Sequence, residues 1–162
     1  MLYLLDANSL ITPNNLYYPL DRVPQFWEWL ELQAHLGLVT IPLEVHAEIV
    51  AGSDALKDWL SDRDRLNSFL LDEEVDPVAL NSVLEQGYAP DLTDVELDKI
   101  LTDAFLIAYA LDHPDRTVVT KEESKPRAQG ANRKIPDVCR AFGVRCMNDF
   151  EMLRALDFSL AR

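Results

Sequence analysis

Leu2-Tyr3-Leu4-Leu5-Asp6 is the stretch on which the reading of the fold turns. A continuous run of this kind, with no polar alternation, suits a strand buried on both faces. Strands buried on both faces belong to parallel sheets covered by helices. Asp6 then closes that strand, and open parallel sheets bind their ligands beyond the carboxyl ends of the strands.

Outward from this strand, short apolar runs alternate with helical segments. Residues 13–36 read as two helical pieces, with Pro13 and Pro24 near their starts and Gly37 as the stop. The second piece carries Phe26, Trp27, Trp29, Leu30 and Leu36, an aromatic stripe expected to pack into the core. Residues 38–41 read as a second strand, and Pro42 opens a helix through Val50 that Gly52-Ser53 breaks. Between 54 and 90 the apolar residues suggest helices, one of them opened by Asp76-Pro77 and ending near Gly87. The runs Asp62-Arg63-Asp64-Arg65 and Asp72-Glu73-Glu74 read as solvated faces.

Thr93-Asp94-Val95-Glu96 has the form of a capping box, which predicts a long helix over about 94–112 ending at His113-Pro114. Residues 117–120 read as a third strand, followed by a polar, basic loop over 121–133. Ile135-Pro136 starts another helix that stops at Gly143. Residues 144–147 form a fourth strand, and Asn148 caps a last helix from Asp149. Strands alternating with helices predict an α/β protein, a parallel sheet with helices on both faces. With no repeat or linker visible, the 162 residues are expected to make one domain, 1–162.

Composition narrows the class of function. Hydrophobic residues make up 48%, enough for a core, and no apolar run reaches the length of a membrane span. Without a signal-like leader, a soluble cytoplasmic protein is the expectation. Cys139 and Cys146 match no zinc or redox spacing and read as small core residues, and the three histidines are scattered. A net charge of −13 argues against nucleic acid at first sight, but its distribution does not. Residues 116–145 carry eight Lys/Arg against three acids, a local excess of five positive charges on a strongly acidic body. Such a segment could hold phosphates, or could be solvated surface.

Four acids occupy positions that ask for explanation. Asp6 closes the first strand. Glu122 follows the third strand's Thr120 by two residues. Glu48 lies in the helix after the second strand, with apolar Val45, Ile49 and Val50 around it. Asp103 stands just before the uncharged run 104–111, and a helix that is apolar all round is buried. A buried carboxylate costs several kcal/mol, in round terms, unless it is paired or bound to metal. Each acid also has an ordinary reading: Asp6 as a turn cap, Glu48 and Glu122 as surface, Asp103 as the ion-pair partner of Lys99. Carboxylates that cannot neutralise one another point instead to a hard cation with oxygen ligands, Mg²⁺ or Mn²⁺. Asn8 could steady Asp6 or donate to a phosphate, and Thr120 could orient a ligand.

Leu4-Leu5-Asp6-Ala7-Asn8, Pro42-x-x-Val45-x-x-Glu48, Asp103-Ala104-Phe105-Leu106-Ile107-Ala108 and Val118-Val119-Thr120-Lys121-Glu122, in that order, resemble the motifs of the PIN domain. This is the metal-dependent nuclease fold of VapC-type toxins. Within it the chain is most similar to a PIN-like group with a Lys-Ile-Pro-Asp-Val-Cys stretch, here Lys134 to Cys139. The resemblance implies a three-layer α-β-α sandwich with a short parallel sheet of four to five strands. It further implies an endoribonuclease whose Mg²⁺ or Mn²⁺ is held by Asp6, Glu48, Asp103 and Glu122. The fourth slot is commonly Asp, so Glu123 is an alternative there. The resemblance leaves residues 54–90 without a counterpart.

Under this reading Asn8, Thr120, Lys121, Lys125, Arg127, Arg133 and Lys134 are candidate contacts to RNA. A small antitoxin partner and a homodimer are implied by the likeness to toxins. A phosphatase of the haloacid-dehalogenase type would also start from Asp6, but it needs a second Asp where Asn8 stands. A PIN-like binding or scaffold module with little or no turnover is the non-enzymatic alternative.

Overall fold

The computed structural model describes residues 1–52 and 54–161. Ser53, read as a helix breaker, and Arg162, the end of the expected domain, lie outside the described residues.

The opening run forms strand β1 (Leu2–Leu5), with Leu4 and Leu5 fully buried. It is flanked by β2 (Val39–Thr40) and β3 (Arg116–Val119), and β4 (Arg145–Met147) lies outside β3. All pairings are parallel and the order is β2-β1-β3-β4. Ile41 adds a parallel bridge to Leu70 at the β2 edge. Helices cover both faces, giving the three-layer α-β-α sandwich. The chain moves from β1 to one side for β2, then returns past β1 for β3. The strand order therefore reverses between β1 and β3, the kind of place where parallel sheets open a ligand crevice.

Helix boundaries differ from the sequence expectations in instructive ways. Helix α1 (Asn8–Leu16) begins directly after β1, so Pro13 lies inside it rather than at its start. Ser9 explains the early start: its hydroxyl donates to Val119 O at 3.1 Å and its N–H to Asp6 O at 2.9 Å, pinning the turn to two strands. Helix α2 (Pro24–His35) is opened by Pro24 as expected and closed at Gly37, whose φ of +70° a side chain would resist. Phe26, Trp27 and Leu30 enter the core, whereas Leu36 is exposed.

Helix α3 (Leu43–Gly52) runs through Gly52 instead of breaking there. Helices α4 (Asp54–Leu60), α5 (Arg63–Phe69) and α6 (Pro77–Ser82) follow, and α6 continues into a π-helical turn, Val83–Tyr88.

Neither charged run is merely a solvated face. Asp62 caps α5 by accepting from Arg65 N, while Arg65 pairs with Glu31 at 2.9 Å and lies over the Trp59 ring. Glu73 takes both guanidinium arms of buried Arg116, at 2.5 and 2.8 Å, and Arg116 also donates to Tyr109 O. Arg116 is thus removed from the basic segment as a free charge.

Helix α7 (Asp94–Ala110) has the capping box expected at Thr93 and Glu96. It ends before the expected 112, and Asp112 turns the chain with a φ of +61°. Strand β3 starts one residue earlier than its apolar run suggested, so Thr120 lies just beyond it. Helix α8 (Ile135–Phe142) ends at Gly143 in the left-handed region, and Asn148 caps α9 (Asp149–Ala155) through a capping box of its own. Both cysteines are free thiols: Cys139 is core, while Cys146 is only partly buried. Among the described residues no helix is long and apolar enough to cross a membrane.

Candidate metal centre

Parallel register does most of the work of assembly. Leu5 is paired with Val119, so the next residues of the two strands, Asp6 and Thr120, emerge side by side. Asp6 N donates to Val119 O at 2.9 Å. Thr120 Oγ1 donates to Asp6 Oδ2 at 2.9 Å and accepts Glu122 N at 3.1 Å. One hydroxyl therefore orients the buried carboxylate and bends the chain that carries Glu122. Thr120 is 1% exposed and Asp6 4%, so neither group has water as a ready substitute.

Glu48 and Asp103 come from α3 and α7, which pack together. Their charges reach Asp6 and each other. Asp6 is pushed up to about 6, first by burial, then by Glu48 and Glu122, against the lowering effect of the Thr120 hydrogen bond. Asp103 is pushed up to about 8, again by burial first, then by Asp6, Glu122 and Glu48, against the lowering effect of Lys134. Partial burial raises Glu48 as well, although it is the most exposed of the four. Lys99 is not within ion-pair distance of Asp103; its ammonium donates to Asn132 Oδ1 at 2.8 Å.

The four acids thus share one field at the β1/β3 reversal. They are not drawn into a ligand shell: among the described residues no three His, Cys, Asp or Glu side chains form a group that could hold a metal ion as they stand. The acids raise one another through the field without forming a common ligand group. The donor set is all oxygen, with too few cations to neutralise it, which suits Mg²⁺ or Mn²⁺.

Glu122 is also tied elsewhere. Its Oε2 accepts Ile135 N at 2.7 Å at the start of α8, and its Oε1 is 3.8 Å from Lys134 Nζ. Glu123 is exposed beside it.

The basic residues divide sharply. Lys121 is held by Asp149 at 2.9 Å and lies over the rings of Phe150 and Tyr17, whose hydroxyl donates to the same Asp149. Arg133 donates to Gly87 O and, at 3.3 Å, to Asp137 O. These two therefore build the structure. Lys125 and Arg127 have exposed side chains, Lys134 lies 3.8 Å from Glu122, and Asn8 is exposed at the start of α1.

The sequence marks Ser9 only as a polar group after the first strand and gives Asp137 no role. Asp137 accepts Ser124 Oγ at 2.5 Å and Lys125 N at 2.7 Å, which fixes the basic loop. Position in the helix-opening Ile-Pro-Asp could have hinted at Asp137.

Two cavities bear on the site. The larger, about 890 Å³, is lined by Leu43, Glu44, Leu71, Glu73 and Tyr109, a turn or more along α3 and α7 from Glu48 and Asp103. The smaller, about 460 Å³, opens on Thr120, Glu122, Cys146 and Phe150. Of the four acids only Glu122 lines the smaller cavity, and none lines the larger.

The fold is a parallel α/β sandwich with the buried Asp6 at its strand reversal. The chain belongs to the domain of unknown function family DUF4411, whose family model matches residues 3–160. No curated protein is significantly similar to it.

Proposed function

We propose that this protein is a divalent-metal-dependent endoribonuclease of the PIN-like type, acting in the cytoplasm as the toxin of a toxin–antitoxin pair. One observation carries the nuclease reading: Asp6 and Asp103 are both held well above the ordinary carboxylate range by burial and by other acids, at the strand reversal. Such a cluster is costly without a cation and useful with one.

Asp6, Glu48 and Asp103, with Glu122 or Glu123, would hold the Mg²⁺ or Mn²⁺. The bound ion would supply activation of water and stabilisation of the attacking and leaving oxygens. Thr120 keeps Asp6 in one orientation, and Lys134 limits the repulsion at Asp103. Lys125 and Arg127 are the exposed cations suited to phosphate contacts, which position a strand without reading its sequence. Asn8, at the start of α1, can donate to the same strand. An antitoxin and a second copy of the chain are the partners this reading calls for.

The decisive experiment is cleavage of RNA with and without Mn²⁺ by wild type and Asp6→Asn. Metal-dependent cleavage lost in the variant supports the proposal; equal cleavage by both refutes it. The scaffold reading draws on the ties of Glu122 to Ile135 and Lys134, and absence of Mn²⁺ binding by calorimetry would favour it.

A further inference from the structure

The larger cavity, about 890 Å³, lies at the β2 edge of the sheet. Just beyond β2, Ile41 N donates to Phe69 O at 2.7 Å and Leu71 N to Ile41 O at 2.9 Å, which brings Leu70 and Leu71 to the cavity wall. The chain then runs on outside helix and strand, carrying Asp72, Glu73, Glu74 and Val75 past the same space. The first turn of α3 adds Leu43 and Glu44, and α7 adds Tyr109. Cavities of about 300–1,000 Å³ that mix apolar walls with a few polar groups are the usual form of small-ligand sites.

Four acids line this cavity, and among the described residues no lysine, arginine or histidine does. Glu73 is taken by Arg116, which is not part of the lining. Glu44, Asp72 and Glu74 make no ion pair among the described residues. Glu44 Oε2 is buried and has no hydrogen-bond partner. Its other oxygen reaches only the hydroxyl of Tyr109, at 3.4 Å, and that hydroxyl is 3.5 Å from Glu73 O. Both contacts are longer than ordinary hydrogen bonds from a hydroxyl. Tyr109 is 5% exposed, so a carboxylate oxygen and a phenol lie largely out of water without good partners. Such groups are unfavourable until a donor reaches them, most of all a charged one. A metal ion does not fit the need: among the described residues no three acids form a group that could hold one, and the space is many times an ion's volume.

We propose that this cavity binds an organic cation, a guanidinium or primary ammonium group on a short aliphatic stem. The head group donates to Glu44 beside the Tyr109 hydroxyl, and the stem lies against Leu43, Leu71 and Val75. Asp72 and Glu74, both exposed, draw the positive charge toward the opening. A free amine and the arginine or lysine side chain of a peptide present the same chemistry to these residues. The site is separate from Asp6, Glu48, Asp103 and Glu122, and it does not depend on the nuclease reading.

The test is calorimetric titration of two probes, n-butylguanidinium and the tripeptide acetyl-Leu-Arg-Leu-amide, at one ionic strength. The proteins are wild type, Glu44→Gln, Leu43→Lys and Glu28→Gln, each checked by melting. Leu43 is 59% exposed, so its lysine variant keeps the fold and brings a competing cation to the cavity even if Glu44→Gln folds poorly. Glu28 is an exposed acid outside the cavity and controls for net charge. Wild type and Glu28→Gln should bind at a single saturable site, whereas Glu44→Gln and Leu43→Lys should bind about tenfold or more weakly, the loss typical of a charged hydrogen-bond partner. Binding of both probes with this pattern marks a site open to free cations; binding of the tripeptide alone marks one for a partner's side chain, and either supports the proposal. Saturable binding of neither probe to wild type overturns it. Equal affinity in all four proteins overturns it too, since attraction to the acidic surface as a whole would then suffice.

Discussion

Thr120 Oγ1 and Asp6 Oδ2 lie 2.9 Å apart at the point where the sheet reverses its strand order. Their bond is buried, and it lowers the Asp6 carboxyl against everything else around it. Thr120→Val keeps the shape and removes the donor. It should destabilise the fold by about 1–2 kcal/mol and weaken Mn²⁺ binding. Thermal unfolding and calorimetry measure both. Wild-type affinity in Thr120→Val would show that the hydroxyl does not position Asp6.

Metal-free stability should fall as pH rises. Asp6 and Asp103 titrate near 3.8 when unfolded but at about 6 and about 8 in the folded protein. Across that interval the folded state binds more protons. The stabilisation from protonation is therefore complete below about 3.8 and is lost as pH passes about 6 for Asp6 and about 8 for Asp103. Asp103→Asn should remove most of the slope between these two values and raise the metal-free melting temperature at its upper end by several degrees. A melting temperature for wild type that stays level over this range contradicts the burial of these charges.

Arg116 and Glu73 make the opposite kind of pair. Arg116 is buried, and its guanidinium holds the Glu73 carboxyl below the ordinary range. Glu73→Ala would strand the arginine. Because Glu73 is partly exposed, the cost should be about 1–3 kcal/mol, less than for a fully buried pair. The depressed carboxyl's contribution is present above its unfolded value of 4.5 and disappears as pH falls through the lower folded one. Urea unfolding at neutral and acidic pH tests this, and equal wild-type and variant stability at neutral pH would contradict it.

Gly87→Ala should cost about 1–3 kcal/mol, since the new methyl meets Val138 at 2.8 Å and the Phe142 ring at 3.0 Å. An alanine variant as stable as wild type would mean that the turn yields freely.

Lys125 and Arg127 should behave unlike Lys121. Replacing both with alanine should weaken RNA binding and reduce the slope of log affinity against log salt by about 1–2, with little effect on melting. Lys121→Ala should instead lower the melting temperature, because it leaves Asp149, which is 3% exposed, with one partner fewer. If the double variant melts early while Lys121→Ala does not, the division of the basic loop is the reverse of the one described.

The sequence by itself determined the alternation of buried strands and helices, because a continuous apolar run, a capping box or a helix-ending glycine acts over a few neighbouring residues. It thereby gave the α/β class, the strand ending at Asp6 and the helix carrying Asp103. Contacts between distant residues were decided only by the tertiary structure. Parallel register set Thr120 beside Asp6, Glu73 took Arg116 from the basic segment, and Asp149 did the same with Lys121. The packing of the π-helical turn depends on Gly87 meeting a helix some fifty residues later, and no local pattern records that contact. Charge and burial are sums over the whole fold, so whether a lysine is free or an acid is raised can be read only once the fold is closed.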